Sequence, residues 1–254
     1  MAPISQRLLI DPPCSGTWNM AVDEVLLEWA AEQGGCAWRF YQWSEPTLSL
    51  GYFQKYEARD EIAETSCVPV SAIVRRLTGG GAILHDRELT YSLVVPAGHA
   101  LAARRETLYD AVHRSLIETL AGFGVAALLC TPDPTGASHS EPFLCFQRRA
   151  SGDVLVGQTK IAGSAQRRRR GAVLQHGSIL LRRSPAAPEL PGLDDVSGVA
   201  VSADQLAEAW LPRLADHLNI AWQPDQLTEP ERRRTAALAE GRYATFAWTG
   251  TTRG

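Results

Sequence analysis

The sequence predicts an α+β fold, with mixed, largely antiparallel sheets flanked by helices. Three observations carry this expectation. Short β-branched and aromatic runs recur, as at residues 36–43 and 88–95. Apolar residues at three- and four-residue spacing are confined to a few longer segments. Residues 153–156 and 160–166 flank a Gly157-Gln158 turn, the pattern of a hairpin. The 254 residues suit one catalytic domain over 1–220 with a helical extension over 221–254.

Taken in order, residues 7–10 read as a strand. Residues 17–30 read as a helix with Trp18, Val22, Val25, Leu26 and Trp29 on one face, capped by Thr17 or Asn19 and ended by Gly34-Gly35. Residues 36–43 alternate and are aromatic, and 46–51 give a further short strand. A short polar helix is expected over 56–64 and a β-branched strand over 68–74. Another strand, 88–95, precedes a long helix over 105–122, with Leu108, Val112, Leu116 and Leu120 on one face. Then come a strand at 125–129, a loop at 131–142 and extended chain at 143–146. The hairpin follows, with Arg167 to Arg170 as a solvated basic tip, and then a strand over 173–181. Two amphipathic helices, 203–218 and 230–240, close the chain.

Composition narrows the function. A net charge of −3 and a pI near 6.1 disfavour a general nucleic-acid binder. The sequence offers no apolar run near the ~20 residues of a membrane span, and its first residues lack a signal-peptide core, so no membrane partner and a cytoplasmic setting are expected. Five cysteines, at 14, 36, 67, 130 and 145, include no C-x-x-C pair, which removes support for a metal or redox site.

The chemistry centres on Arg75-Arg76-Leu77-Thr78-Gly79-Gly80-Gly81-Ala82-Ile83-Leu84-His85. Glycines expose backbone N–H groups, and guanidiniums suit an anionic or acyl-carbonyl group. The plain alternative is a solvated hairpin loop. No P-loop pattern and no G-x-S-x-G elbow occur. Cys145 is either a buried structural thiol or a nucleophile, and the second role needs a nearby cation or base. Lys160, fifteen residues on, supplies one if the hairpin folds back over the glycine loop. Gly163-Ser164-Ala165 reads as a small-residue strand that lets a ligand approach closely, or as a bulge or packing contact, and His176 of His176-Gly177-Ser178 reads as a hydrogen-bonded core residue or a catalytic group.

The glycine run resembles the R-R-x-[ST]-G-G-G-A-x-x-H signature of the lipoate–protein ligase and octanoyltransferase family, within the biotin/lipoate ligase catalytic-domain superfamily. Lys160-Ile161-Ala162-Gly163-Ser164-Ala165-Gln166, Gln175-His176-Gly177-Ser178, Asn19-Met20-Ala21-Val22-Asp23-Glu24 and Ser49-Leu50-Gly51-Tyr52-Phe53-Gln54 resemble further segments of it, in order. Cys145-Phe146 ahead of Lys160 is similar to the Cys-dependent octanoyltransferases, whereas Gln147-Arg148-Arg149-Ala150 departs from their more acidic stretch.

The resemblance implies that Cys145 carries an acyl-thioester and that Lys160 lowers its pKa. It implies an acyl site formed by Arg76, Thr78, Gly79, Gly80, Gly81, Ala82, Ile83, Leu84 and His85, with Gly163, Ser164, Ala165 and His176 opposite. The donor would be octanoyl-acyl carrier protein, and the acceptor a lipoyl domain or glycine-cleavage H protein, with no cofactor. The alternatives are an ATP- and Mg2+-dependent lipoate–protein ligase acting through an acyl-adenylate, and a silent lipoate-binding module.

Overall fold

A computed structural model describes residues 6–57, 72–131 and 143–251. Among these residues the larger of two sheets has eight strands: β1 (Gln6–Ile10), β2 (Cys36–Tyr41), β6 (Glu88–Val95), β7 (Ala127–Leu129), β8 (Val154–Val156), β9 (Thr159–Arg169), β10 (Ala172–Leu180) and β11 (Gln223–Pro224). Their spatial order is β11-β1-β2-β6-β10-β9-β8-β7. β1 runs parallel to β11 and β2, and the remaining pairs are antiparallel. The smaller sheet, β4-β3-β5, joins β3 (Thr47–Leu50), β4 (Ala72–Arg75) and β5 (Ile83–His85).

Strand alternation divides the core. Trp38, Phe40, Tyr91 and Leu93 pack against α2 (Arg105–Gly122) and α4 (Ala203–Leu218); between these two helices in sequence lies the short α3 (Leu193–Ser197). Trp38 stacks on Tyr91 at 4.7 Å, and the Trp210 indole closes edge-on over both and donates to Ser115 Oγ. Leu9, Ala37, Val94 and Leu174 pack instead with Val22, Leu26 and Leu27 of α1 (Gly16–Gln33).

Several expectations are corrected. α1 is capped by Ser15, whose side chain accepts from Trp18 N; Asn19 lies within the helix and bonds the carbonyls of Cys14 and Gln42. The strand foreseen over 68–74 is described from Ala72, and most of the helix foreseen over 56–64 lies outside the described residues. β5 was not foreseen, because three residues are too few to show alternation. Residues 143–146 do not form an extended run: Leu144 makes one bridge to Ala82, and Cys145–Gln147 winds into a 3-10 turn.

The basic tip is also displaced. β9 continues through Arg169, and the reversal falls on Arg170 and Gly171, both at positive φ. Arg169 pairs with Glu24 and Glu28, while Arg168 donates to the Ala102 carbonyl, so these charges have partners along the strand.

Beyond residue 220, β11 extends the large sheet, and α5 (Glu229–Leu238) packs on α1. Arg7 of β1 binds Asp225 and Glu231. A π turn, Ala239–Tyr243, and a final short helix α6 (Phe246–Thr249) follow. No helix among the described residues is long and apolar enough to cross a membrane.

Trp210→Ala should destabilise the fold by about 3–5 kcal/mol, since it opens a cavity and removes the indole donor to the Ser115 hydroxyl. Urea unfolding with unchanged slope and a lower midpoint is the expected outcome.

Candidate active site

The glycine loop is shaped from beneath by Arg76. This side chain is buried; Nη1 donates to Ser49 O at 2.8 Å, and Nη2 donates to Gly79 O at 2.8 Å and Gly81 O at 2.7 Å. Burial pushes the guanidinium down to about 10. Its Nε meets no acceptor among the described residues. Arg76 thus lines the cavity while holding the loop's own carbonyls. Gly80 sits at φ +94, and a Cβ on Gly51 would lie 2.0 Å from its carbonyl oxygen, so the two loops touch backbone to backbone.

A second segment closes on this loop. Ala82 N donates to Phe143 O, and Cys145 N donates to Ala82 O at 2.8 Å. A Cβ on Gly81 would sit 3.1 Å from Phe143 O and 3.2 Å from Cys145 Cα, so the missing side chain admits the thiol-bearing turn. Cys145 is half-buried and lines the cavity.

Lys160 approaches from β9. Ile161 is an extra residue where the β8–β9 register shifts: Val154 faces Ala162 while Leu155 faces Lys160. A bulge of this kind re-aims the side chains beside it. The Lys160 chain crosses the space above Gly163, whose Cβ would lie 2.7 Å from Cε and 3.0 Å from Nζ. The buried ammonium meets Asp153 Oδ2 at 2.9 Å, Cys145 O at 3.3 Å and Cys145 Sγ at 3.7 Å. Asp153 is itself held by Ala150 N at 2.7 Å. The amine and the thiol, fifteen residues apart in sequence, therefore meet, and the thiol lines the cavity.

Residues 15–187 match the family model of the lipoyl protein ligase A/B catalytic domain. The chain belongs to this family. Over 98% of its length it is 31% identical to octanoyltransferase LipM of Geobacillus kaustophilus, spanning 99% of that protein. Protein Ta0514 of Thermoplasma acidophilum, with bound lipoic acid, superposes with a TM-score of 0.77 at 23% identity, over 98% of this chain and 100% of the other. A bipartite lipoate protein ligase from the same archaeon, studied with its E2 lipoyl domain, gives 0.74 at 22% identity over 99% of each chain. At these identities the two structures establish the lipoate-ligase catalytic fold.

Of the residues singled out in this family's motifs, Arg76, Gly79, Gly80, Ile83, His85, Cys145, Gly163, Ser164, Ala165 and His176 line the cavity. Ala82 and Leu84 pack instead with Leu144 and Phe146 beneath it. Thr78 acts on the wall: its hydroxyl meets His176 Nε2 at 2.6 Å, and His176 Nδ1 donates to Asp23 Oδ2. Burial raises the Asp23 carboxyl, but the bond from His176 and the charge of Arg39 outweigh it and leave the group below its ordinary value.

His85 stacks on Trp43 at 3.8 Å. Its Nδ1 donates to Glu88 Oε1, and its Nε2 accepts from Ser49 Oγ. Sequence reading missed Met20, Tyr41 and Trp43 on the cavity wall, and Asp153 beside Lys160. The D-x-x-x-x-x-x-K spacing of Asp153 and Lys160 across a hairpin turn was the available signal.

Two outcomes are expected. Gly163→Ala should displace the Lys160 chain and slow iodoacetamide labelling of Cys145 about tenfold, matching Lys160→Met, because in both the ammonium no longer faces the sulfur. Stability should fall as pH drops below 6.5. Burial lowers the His85 and His113 imidazoles below that ordinary value, so the unfolded chain takes up protons the folded one refuses. Each histidine contributes about 1 kcal/mol per pH unit until its folded value is reached. Urea midpoints at pH 7.5 and 5.5 measure the loss.

Proposed function

We infer that the chain is a protein N-octanoyltransferase of lipoate biosynthesis that works through a thioester on Cys145. The observation that carries the mechanism is the ammonium of Lys160, 3.7 Å from the sulfur of Cys145, which lines a cavity walled in part by the glycine loop. A cation at that distance can steady the charge that passes through an attacking sulfur.

The donor is octanoyl-acyl carrier protein. Cys145 Sγ attacks its thioester carbonyl, a new C–S bond forms, the donor C–S bond breaks, and the carrier thiolate leaves with a proton. Lys160 steadies the negative charge, first on Sγ and then on the carbonyl oxygen. The neutral amine of a lysine then attacks the acyl-enzyme, the C–S bond to Cys145 breaks, and the proton lost by the nitrogen passes to the departing Cys145 sulfur as the amide forms. The acceptor is a lipoyl-carrying protein, either a lipoyl domain or a glycine-cleavage H protein. One thioester replaces another of similar energy and the amide lies downhill, so neither ATP nor Mg2+ is needed.

Free thiols at Cys14, Cys36, Cys130 and Cys145 suit a reducing cytoplasm, where we place the reaction. We also propose that residues 221–254 extend the 1–220 catalytic domain. The pairing of β11 with β1 and the packing of α5 on α1 support this reading.

Incubation with octanoyl-acyl carrier protein, without nucleotide, should leave octanoyl mass on Cys145. Cys145→Ser should abolish it, and added lipoyl domain should discharge it to amide. Acylation of the lipoyl domain that requires ATP and survives Cys145→Ala would instead identify a ligase. Lipoate binding without transfer under either condition would identify a binding module.

A further inference from the structure

His113 lies on α2, outside the cavity lining, and belongs to none of the motifs above. It is almost wholly buried, and both ring nitrogens have partners. Nδ1 meets the Gly152 carbonyl, which can only accept, so Nδ1 carries the proton. Nε2 of the neutral ring then accepts from Ser164 Oγ at 2.6 Å. The hydroxyl of Ser164 in turn accepts from Tyr91, and Tyr91 accepts from Gln175 Nε2 at 3.0 Å. Every donor in the chain has one acceptor, and the direction is fixed from Gln175 to Gly152.

The row is built across strands. Tyr91, Gly177 and Ser164 are register neighbours on β6, β10 and β9. A Cβ on Gly177 would lie 2.4 Å from Ser164 Oγ and 2.8 Å from Tyr91 Cε1. The bare glycine is what lets the tyrosine reach the serine.

What His113 ties together matters more than what it touches. Gly152 is the residue before Asp153, which holds the ammonium of Lys160. Ser164 is the residue after Gly163, over which the Lys160 chain runs. One imidazole therefore fixes both backbone segments that flank the amine.

We propose that His113 is the positioning residue of the Cys145–Lys160 pair, clamping the Asp153 and Gly163 segments so that the ammonium stays against the sulfur. The catalytic use of that pair rests on the function inferred above; the clamp itself does not. The groups facing His113 are Tyr109 and Asp110 from its own helix, Asp153 from the segment before β8, and Lys160 and Ser164 from β9. Protonation would turn Nε2 into a donor and leave the Ser164 proton without its acceptor, so the clamp works with the neutral ring.

The test is a double-mutant cycle read by iodoacetamide labelling of Cys145 in the full chain, with folding checked by urea midpoint. His113→Phe, which removes both bonds, should slow labelling about fivefold. His113→Asn keeps a donor where Nδ1 stands and should recover most of the rate. In a Lys160→Met background, His113→Phe should change labelling by less than about 1.5-fold, since the amine it positions is gone.

Equal losses in both backgrounds, or no loss in either, would overturn the proposal. Should His113→Phe fail to fold, Ser164→Ala enters the same cycle, with the same coupling expected and the same equal-loss result counting against it. Labelling reports on the thiol without any acyl donor. Coupled labelling in an enzyme that octanoyl-acyl carrier protein does not acylate would therefore sink the transferase reading and leave the clamp standing.

Discussion

A buried ammonium is the constraint from which the site follows. Lys160 is 5% exposed, and withdrawing its charge from water costs several kcal/mol unless its protons find acceptors. It has three protons and three acceptors: a carboxylate, a carbonyl and a sulfur. Supplying them dictates local structure on every side. Asp153 is braced by the Ala150 amide, and β9 carries an extra residue at Ile161. Gly163 is bare, and the chain at Cys145 turns so that its carbonyl and its thiol face the same nitrogen.

Buried charge elsewhere obeys the same rule. Asp23 and Glu24 are adjacent on α1, both buried, and serve opposite sides. Asp23 meets Arg39, Tyr41 and His176 toward the cavity. Glu24 meets Arg169, Arg242 and Tyr243 toward the end of β9 and the C-terminal turn. Each carboxylate is shared among several partners, and stripping them all would leave a charge unanswered in the interior, which costs more than the pairs contribute.

The sequence made the broad architecture legible because alternation and helical spacing are local signals. β6, α2, β10 and α4 fall close to where their apolar periods put them. The glycine loop, Cys145 and Lys160 were legible because their chemistry is unusual for loops and strands. Asp153 and His113 were not, since an aspartate near a turn and a histidine on an amphipathic helix read as ordinary surface or core residues. Their roles exist only through pairings set by a strand bulge and by a carbonyl at Gly152. Arg76 was read as a group for the substrate, yet three of its bonds go to backbone carbonyls of the chain itself. A motif records that a residue is needed without recording what it holds.

Arg75 carries a different implication. Its guanidinium accepts no company from solvent: it donates to the carbonyls of Gly51 and Gln54 beside the glycine loop and, from Nε and Nη2, to the carbonyl of Thr249. The Trp248 indole answers by donating to the Arg75 carbonyl. Trp248 and Thr249 are thereby stitched to the loops beside the cavity from both sides of Arg75, by its guanidinium and by its carbonyl. Removing Trp248 and Thr249 would loosen the loops beside the cavity without changing any residue that lines it.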